Sequence, residues 1–140
     1  MNRTVRKALA NDVDRMMAIK EELSVQASDS VTDGFLLGTD EAVYQHLIEA
    51  RRVWVIEENE VLGFAVTLSD SFLRRSDFWQ RRHQVEWSNV DWNQFEQSKV
   101  GYFDQLAMAR NVQRRHWGAA LALRAVDSLF KEGHDHVFAT

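Results

Sequence analysis

The sequence predicts an α/β protein built on one mixed sheet, in the element order β-α-α-β-β-β-α-β. Three observations predict it. Two apolar runs flank a short polar turn, the pattern of an antiparallel hairpin. A further apolar run leads through a basic turn into a helix and then a last strand, the pattern of a crossover to a neighbour in the same sheet. The 140 residues, 45% hydrophobic and 27% charged, suit a single globular domain spanning residues 1–140.

The elements follow in order. Thr4 to Leu9 sets Val5, Ala8 and Leu9 among Arg6 and Lys7 and reads as a short strand. Asn11-Asp12-Val13-Asp14 then opens a helix. Asn11 is placed to cap its first N–H groups, and both aspartates lie at the positive end of the dipole. Val13, Met16, Met17, Ile19 and Leu23 recur at helical spacing and carry it to about Ser24. Ser24 to Gly38, rich in Ser, Asp, Thr and Gly, is a loop. Thr39-Asp40-Glu41 opens a second helix, with Val43, Leu47, Ile48 and Ala50 as its apolar stripe. Val53 to Glu57 and Val61 to Leu68 form the hairpin around Glu58-Asn59-Glu60, and Gly63 marks a bulge or a close backbone approach.

Ser69 to Lys99 is an insert of mixed helix and loop. Its aromatic residues Phe72, Phe78, Trp79, Trp87, Trp92 and Phe95 either line an acceptor pocket or pack the insert on the sheet. Val100 to Met108 is a strand, and Arg110 to Trp117 is a basic connection. Gly118 to Lys131 is a helix with Ala119, Leu123, Val126 and Phe130 on one face. Gly133 stops it, and Asp135 to Ala139 is the final strand.

Composition narrows the function classes. The absence of cysteine rules out a disulfide scaffold, a cysteine-held metal and a thiol nucleophile. A net charge of -4 argues against nucleic acid and anionic membrane as partners. No run approaches the ~20 apolar residues of a membrane span, and Met1 to Ala10 is too polar for a signal peptide's core. A cytoplasmic protein is expected. His134 and His136 would share a strand face, but no third ligand accompanies them, so no metal is expected. Glu57 and Glu58 read as solvated, and the arginines of the insert as an ion-paired face.

The chemistry concentrates between Gln105 and Leu123. A strand enters a basic turn that opens a helix, and free N–H groups plus the dipole make such a helix start an anion site. Gly118 and Ala120 let a phosphate approach the backbone, with Gln113, Arg114 and Arg115 around it. The residues alone allow either a phosphate-bearing ligand or a basic turn before a core helix. The P-loop and dinucleotide glycine patterns are absent.

This segment resembles motif A of the GCN5-related N-acetyltransferases, Gln/Arg-x-x-Gly-x-Gly/Ala. Arg115-His116-Trp117-Gly118-Ala119-Ala120 fits it, and Leu106-Ala107-Met108 is similar to the strand that precedes it. Trp117 departs from the usual small residue, and Arg114-Arg115-His116 from the usual glycine-rich start. The resemblance implies acetyl-CoA as co-substrate and a small-molecule or peptide amine as acceptor. It implies that Leu106, Ala107 and Met108 hold the pantetheine arm by their backbone. It implies that Gln113, Arg114, Arg115, His116, Trp117, Gly118, Ala119 and Ala120 cradle the pyrophosphate.

Family chemistry is direct attack of an amine on the thioester, which needs a base and a donor to the carbonyl oxygen. Strand alternation puts Tyr102, Asp104, Leu106 and Met108 on one face and Phe103, Gln105 and Ala107 on the other. Asp104 is the candidate base; the alternative is a solvated or N–H-bonded aspartate. Tyr102, acting through a water, is the second candidate. By resemblance the Met108 N–H faces the carbonyl oxygen. The alternative to an enzyme is a non-catalytic acyl-CoA-binding or oligomerisation module. The family fold continues past its fifth strand with a helix and a strand pair. Their absence here predicts a C-terminally shortened fold, with impaired activity or with its exposed last strand paired in a homodimer.

Overall fold

The computed structural model describes residues 3–26, 39–81, 95–112 and 116–139. Five strands form one sheet in the order β1-β2-β3-β4-β5. They are β1 (Thr4–Lys7), β2 (Val53–Glu58), β3 (Glu60–Leu68), β4 (Val100–Met108) and β5 (His136–Ala139). The first three pairings are antiparallel and β4–β5 is parallel. The helices are α1 (Val13–Gln26), α2 (Glu41–Glu49), the short α3 (Asp70–Arg74) and α4 (Asp77–Gln80), and α5 (Trp117–Lys131). The element order agrees with the sequence expectation.

Local chemistry sets most boundaries. Asp40 caps α2 by accepting the Val43 N–H at 2.9 Å, as its position before the helix predicts. Asn11 does not cap α1. It lies inside a 3-10 turn, Ala10–Asp12, and the Asp12 carboxylate takes the Leu9 N–H at 2.7 Å instead. Arg6 bonds that carboxylate and also Glu57, tying β1, the turn and β2 together. Glu57 is thus an ion-pair partner whose side chain still faces solvent, 35% exposed. Gly133, at φ 97°, ends α5 in the left-handed region that its missing side chain permits. Gly63 sits beside the β2–β3 bulge, where a Cβ would overlap the Met108 sulfur and lie 3.0 Å from the Ala107 carbonyl oxygen. Both roles expected of it are present.

Two helix faces differ from expectation. In α2 the core side is Tyr44, Leu47 and Ile48, while Val43 is exposed. In α5 it is Leu121, Ala125 and Leu129, while Leu123 is 70% exposed and Phe130 48%. The α5 sequence is apolar around much of its girth, so spacing alone fits either stripe. The described parts of the insert pack on the sheet: Trp79 and Phe95 are buried, and Phe95 meets Phe138 edge to face at 4.9 Å. Trp87 and Trp92 lie outside the described residues. His134 precedes β5 and is buried, with Nδ1 2.8 Å from the Leu129 carbonyl and Nε2 accepting the Asp70 N–H. It therefore does not share a strand face with His136, which packs on Phe95.

Candidate active site

The site is built on an irregularity in β4. Gln105 pairs with Val66, but Phe103 pairs with the next residue, Thr67, so Asp104 is an extra residue in the strand. Such a bulge breaks the two-residue alternation. Before it, Gly101 faces α5, where a Cβ would meet Leu129 at 3.0 Å. After it, Leu106 and Met108 face α5, close to Gly118. Gln105 faces the other way and bonds Tyr44 of α2. The expected grouping is thus corrected. Tyr102 and Asp104 share the α2 face with Gln105, and Leu106 and Met108 lie on the opposite face.

The bulge makes adjacent side chains neighbours. Gln105 Nε2 donates to Asp104 Oδ2 at 3.1 Å and to Thr39 Oγ1 at 3.0 Å, and the Tyr44 hydroxyl donates to Gln105 Oε1 at 2.8 Å. Tyr44 is fully buried, its ring edge-on to Phe64 at 5.5 Å. Burial pushes its phenol well above its ordinary value, so it stays protonated. Lys20 of α1 is buried beside it, 5.6 Å over the ring, and donates to the Thr39 carbonyl. Burial lowers the Lys20 ammonium, against the opposing charge of Asp40. Burial also raises the Asp104 carboxyl, and the Gln105 N–H offsets part of that rise. A carboxyl held above its usual range is a better proton acceptor once ionised. Sequence reasoning missed Gln105 and Tyr44, because regular alternation sends Gln105 to the wrong face.

The outer edge of β4 supplies backbone groups. The Ala109 N–H donates to the Leu62 carbonyl at 2.8 Å, flanking the Gly63–Met108 pair. That pair is therefore of the non-hydrogen-bonded kind, and the neighbouring Phe64–Ala107 pair of the bonded kind. Met108 and, by the same alternation, Leu106 aim their N–H and C=O groups away from β3. Ala107 spends its groups on β3, so the expected backbone contact from Ala107 is not available. The β4–β5 ladder runs from Val100 to Phe103, and Asp104 is the first residue of β4 past it.

The start of α5 lies against this edge. Its N-cap, His116, is left-handed at φ 59° and makes no side-chain cap bond. Gly118 sits over β4, where a Cβ would be 3.5 Å from Met108 Cγ and 3.7 Å from Leu106 Cδ2, ordinary contact distances. Ala119 is exposed and Ala120 half-buried in the first turn. Trp117 is half-buried against the core with the Arg3 guanidinium 5.7 Å over its ring. Gln113, Arg114 and Arg115 lie outside the described residues.

No protein-family model and no curated protein matches the sequence. Solved structures do. An acetyltransferase of the GNAT family from Listeria monocytogenes superposes with a TM-score of 0.71 at 14% identity, over 98% of this chain and 75% of that one. A GCN5-related N-acetyltransferase from Ralstonia eutropha gives 0.65 at 17% identity, over 99% and 83%. The chain has the GCN5-related N-acetyltransferase fold. N-acetylglutamate synthase from Neisseria gonorrhoeae, in complex with coenzyme A and N-acetyl-glutamate, gives 0.64 at 17% identity over 99% of this chain. This chain spans 25% of that synthase. Within the GNAT fold, the β4 edge and the α5 start described above are the parts that meet.

Proposed function

We propose that this chain is an N-acetyltransferase that moves an acetyl group from acetyl-CoA to a primary amine of a small molecule or peptide. One observation carries the proposal: just past the β4 ladder with β5, Asp104 stands on the α2 face while Leu106 and Met108 run along the same edge beside the start of α5. Edge backbone groups of Leu106 and Met108 suit the amides of a pantetheine arm. The start of α5, from Trp117 to Ala120, offers N–H groups and the positive end of the dipole to a pyrophosphate. Gln113, Arg114 and Arg115 join it by sequence resemblance.

The co-substrate supplies an acetyl group activated as a thioester. The protein's own residues do the rest. The edge holds the acyl carbon in place, which turns an encounter between two molecules into a positioned reaction. The Met108 N–H faces the position where negative charge develops on oxygen. Asp104 works from the α2 face, so the amine arrives on the face opposite α5. The carboxylate takes a proton from the incoming ammonium at Oδ1, its Oδ2 being held by Gln105. The free amine then bonds the acetyl carbon, the carbon–sulfur bond breaks, and the departing thiolate takes up the proton that the acylated nitrogen sheds. Tyr102 shares that face and is the second candidate for the proton.

The test is thiol release from acetyl-CoA against a panel of amines, with wild type and Asp104→Asn. The expected result is turnover with at least one amine and about a 100-fold or larger loss in the variant. Unchanged turnover in Asp104→Asn removes Asp104 as the base. Bound acetyl-CoA without turnover on any amine favours the non-catalytic acyl-CoA-binding module.

A further inference from the structure

We infer that Gln105 is a positioning residue for Asp104: its amide, locked by Tyr44 and Thr39, holds the carboxylate through Oδ2 and leaves Oδ1 for the acceptor's proton. The catalytic part of this inference rests on Asp104 being the base; the positioning part does not.

The bonding pattern is self-consistent in only one sense. An ionised carboxylate has no proton to give, so Gln105 must present its NH2 to Asp104. The amide oxygen then points at Tyr44, whose hydroxyl must donate to it, and 2.8 Å suits that bond. The second N–H of the amide goes to Thr39 Oγ1. Gln105 is buried, so its partners, rather than water, fix its orientation. A regular strand sends neighbouring side chains to opposite faces. Only the bulge lets residue 105 serve residue 104. The arrangement also joins β4 to the loop end at Thr39 and to α2, the two elements that flank the proposed amine side.

Among the described residues, Tyr102 shares the face of Asp104, and the charged groups that follow have partners of their own. Lys20 of α1 bonds the Thr39 carbonyl, and Glu22 of α1 accepts the Arg110 N–H. In α3, Asp70 accepts the Val100 N–H and Arg74 bonds Asp70. His136 of β5 pairs across from Val100, at the far end of β4, and packs on Phe95. Burial raises the Asp104 carboxyl, so a donor that favours its ionised form brings it back toward the range where it accepts protons at neutral pH.

The experiment follows the Asp104 carboxyl by 13C NMR titration in the full chain, in wild type, Gln105→Leu and Tyr44→Phe. The acid limb of the acetyl-transfer pH profile is recorded alongside. Gln105→Leu is expected to move the Asp104 midpoint up by about one pH unit, the scale of one lost hydrogen bond to a charged group. Tyr44→Phe moves it the same way by less, because the amide stays but loses its anchor. A merely structural role changes the melting temperature and leaves the midpoint alone. A midpoint within about 0.2 units of wild type in Gln105→Leu overturns the inference. Should that variant not fold, an unchanged midpoint in Tyr44→Phe overturns it equally. A midpoint that rises while the acid limb stays in place upholds Gln105 as the holder of the carboxylate and removes Asp104 as the base.

Discussion

As the proposed base, Asp104 couples activity to stability with opposite signs. Burial raises its carboxyl, so the folded state holds the proton more tightly than the unfolded chain does. Between the unfolded and folded values, stability therefore falls as pH rises, while the base form needed for transfer accumulates. Asp104→Asn should lose turnover yet melt no lower than wild type at neutral pH, which a thermal melt beside the thiol assay checks. Ala119 gives a second opposed pair. It is exposed in the first turn of α5, where a carboxylate favours the helix by a few tenths of a kcal/mol to about 1. The same charge repels a pyrophosphate. Ala119→Glu is expected to keep or raise the melting temperature and to weaken CoA binding about tenfold or more, measured by calorimetry. Gly63→Ala should cost about 1–3 kcal/mol in denaturant unfolding, because the new Cβ overlaps the Met108 sulfur.

Elements were legible where their ends carry chemistry. Asp40 and Gly133 marked α2 and the end of α5 because a cap and a left-handed residue are written in single side chains. Helix faces were harder to assign. Val43 and Leu123 are apolar but exposed, since α2 and α5 carry more apolar positions than the core can take. The register shift at Asp104 was illegible, because a bulge with no glycine leaves no local mark. Its consequence was the wrong face for Gln105, Leu106 and Met108. At the first strand, the Arg6 cluster replaces the expected Asn11 cap. Burial alone would raise the Asp12 carboxyl, but the Arg6 bonds and the Leu9 N–H outweigh it and hold it below its ordinary value. That stabilisation is present above the unfolded pKa and disappears as pH falls through the lower folded value. Asp12→Ala should cost about 1–3 kcal/mol at pH 7 and flatten the acid side of the stability profile, followed by urea unfolding from pH 7 downward.

For the whole molecule, a five-stranded mixed sheet holds α1 and α2 against one face and α5 against the other, with the β4 edge between them. This places Asp104, the proposed proton acceptor, and the start of α5, the proposed anion site, on opposite sides of one strand. The layout of the sheet was readable from the order of apolar runs. The motif at Arg115 to Ala120 suggested the ligand proposed above. The amine side was not readable, since it depends on the bulge and on Tyr44 and Gln105, residues with no motif around them. The most direct test of the account is a titration of the isotope-labelled chain with acetyl-CoA, read at each backbone amide. The account predicts saturable shifts centred on Leu106, Met108 and Gly118 to Ala120, with Asp104 responding beside them. Absence of binding at millimolar acetyl-CoA, or saturable shifts that spare both β4 and the start of α5, would contradict it.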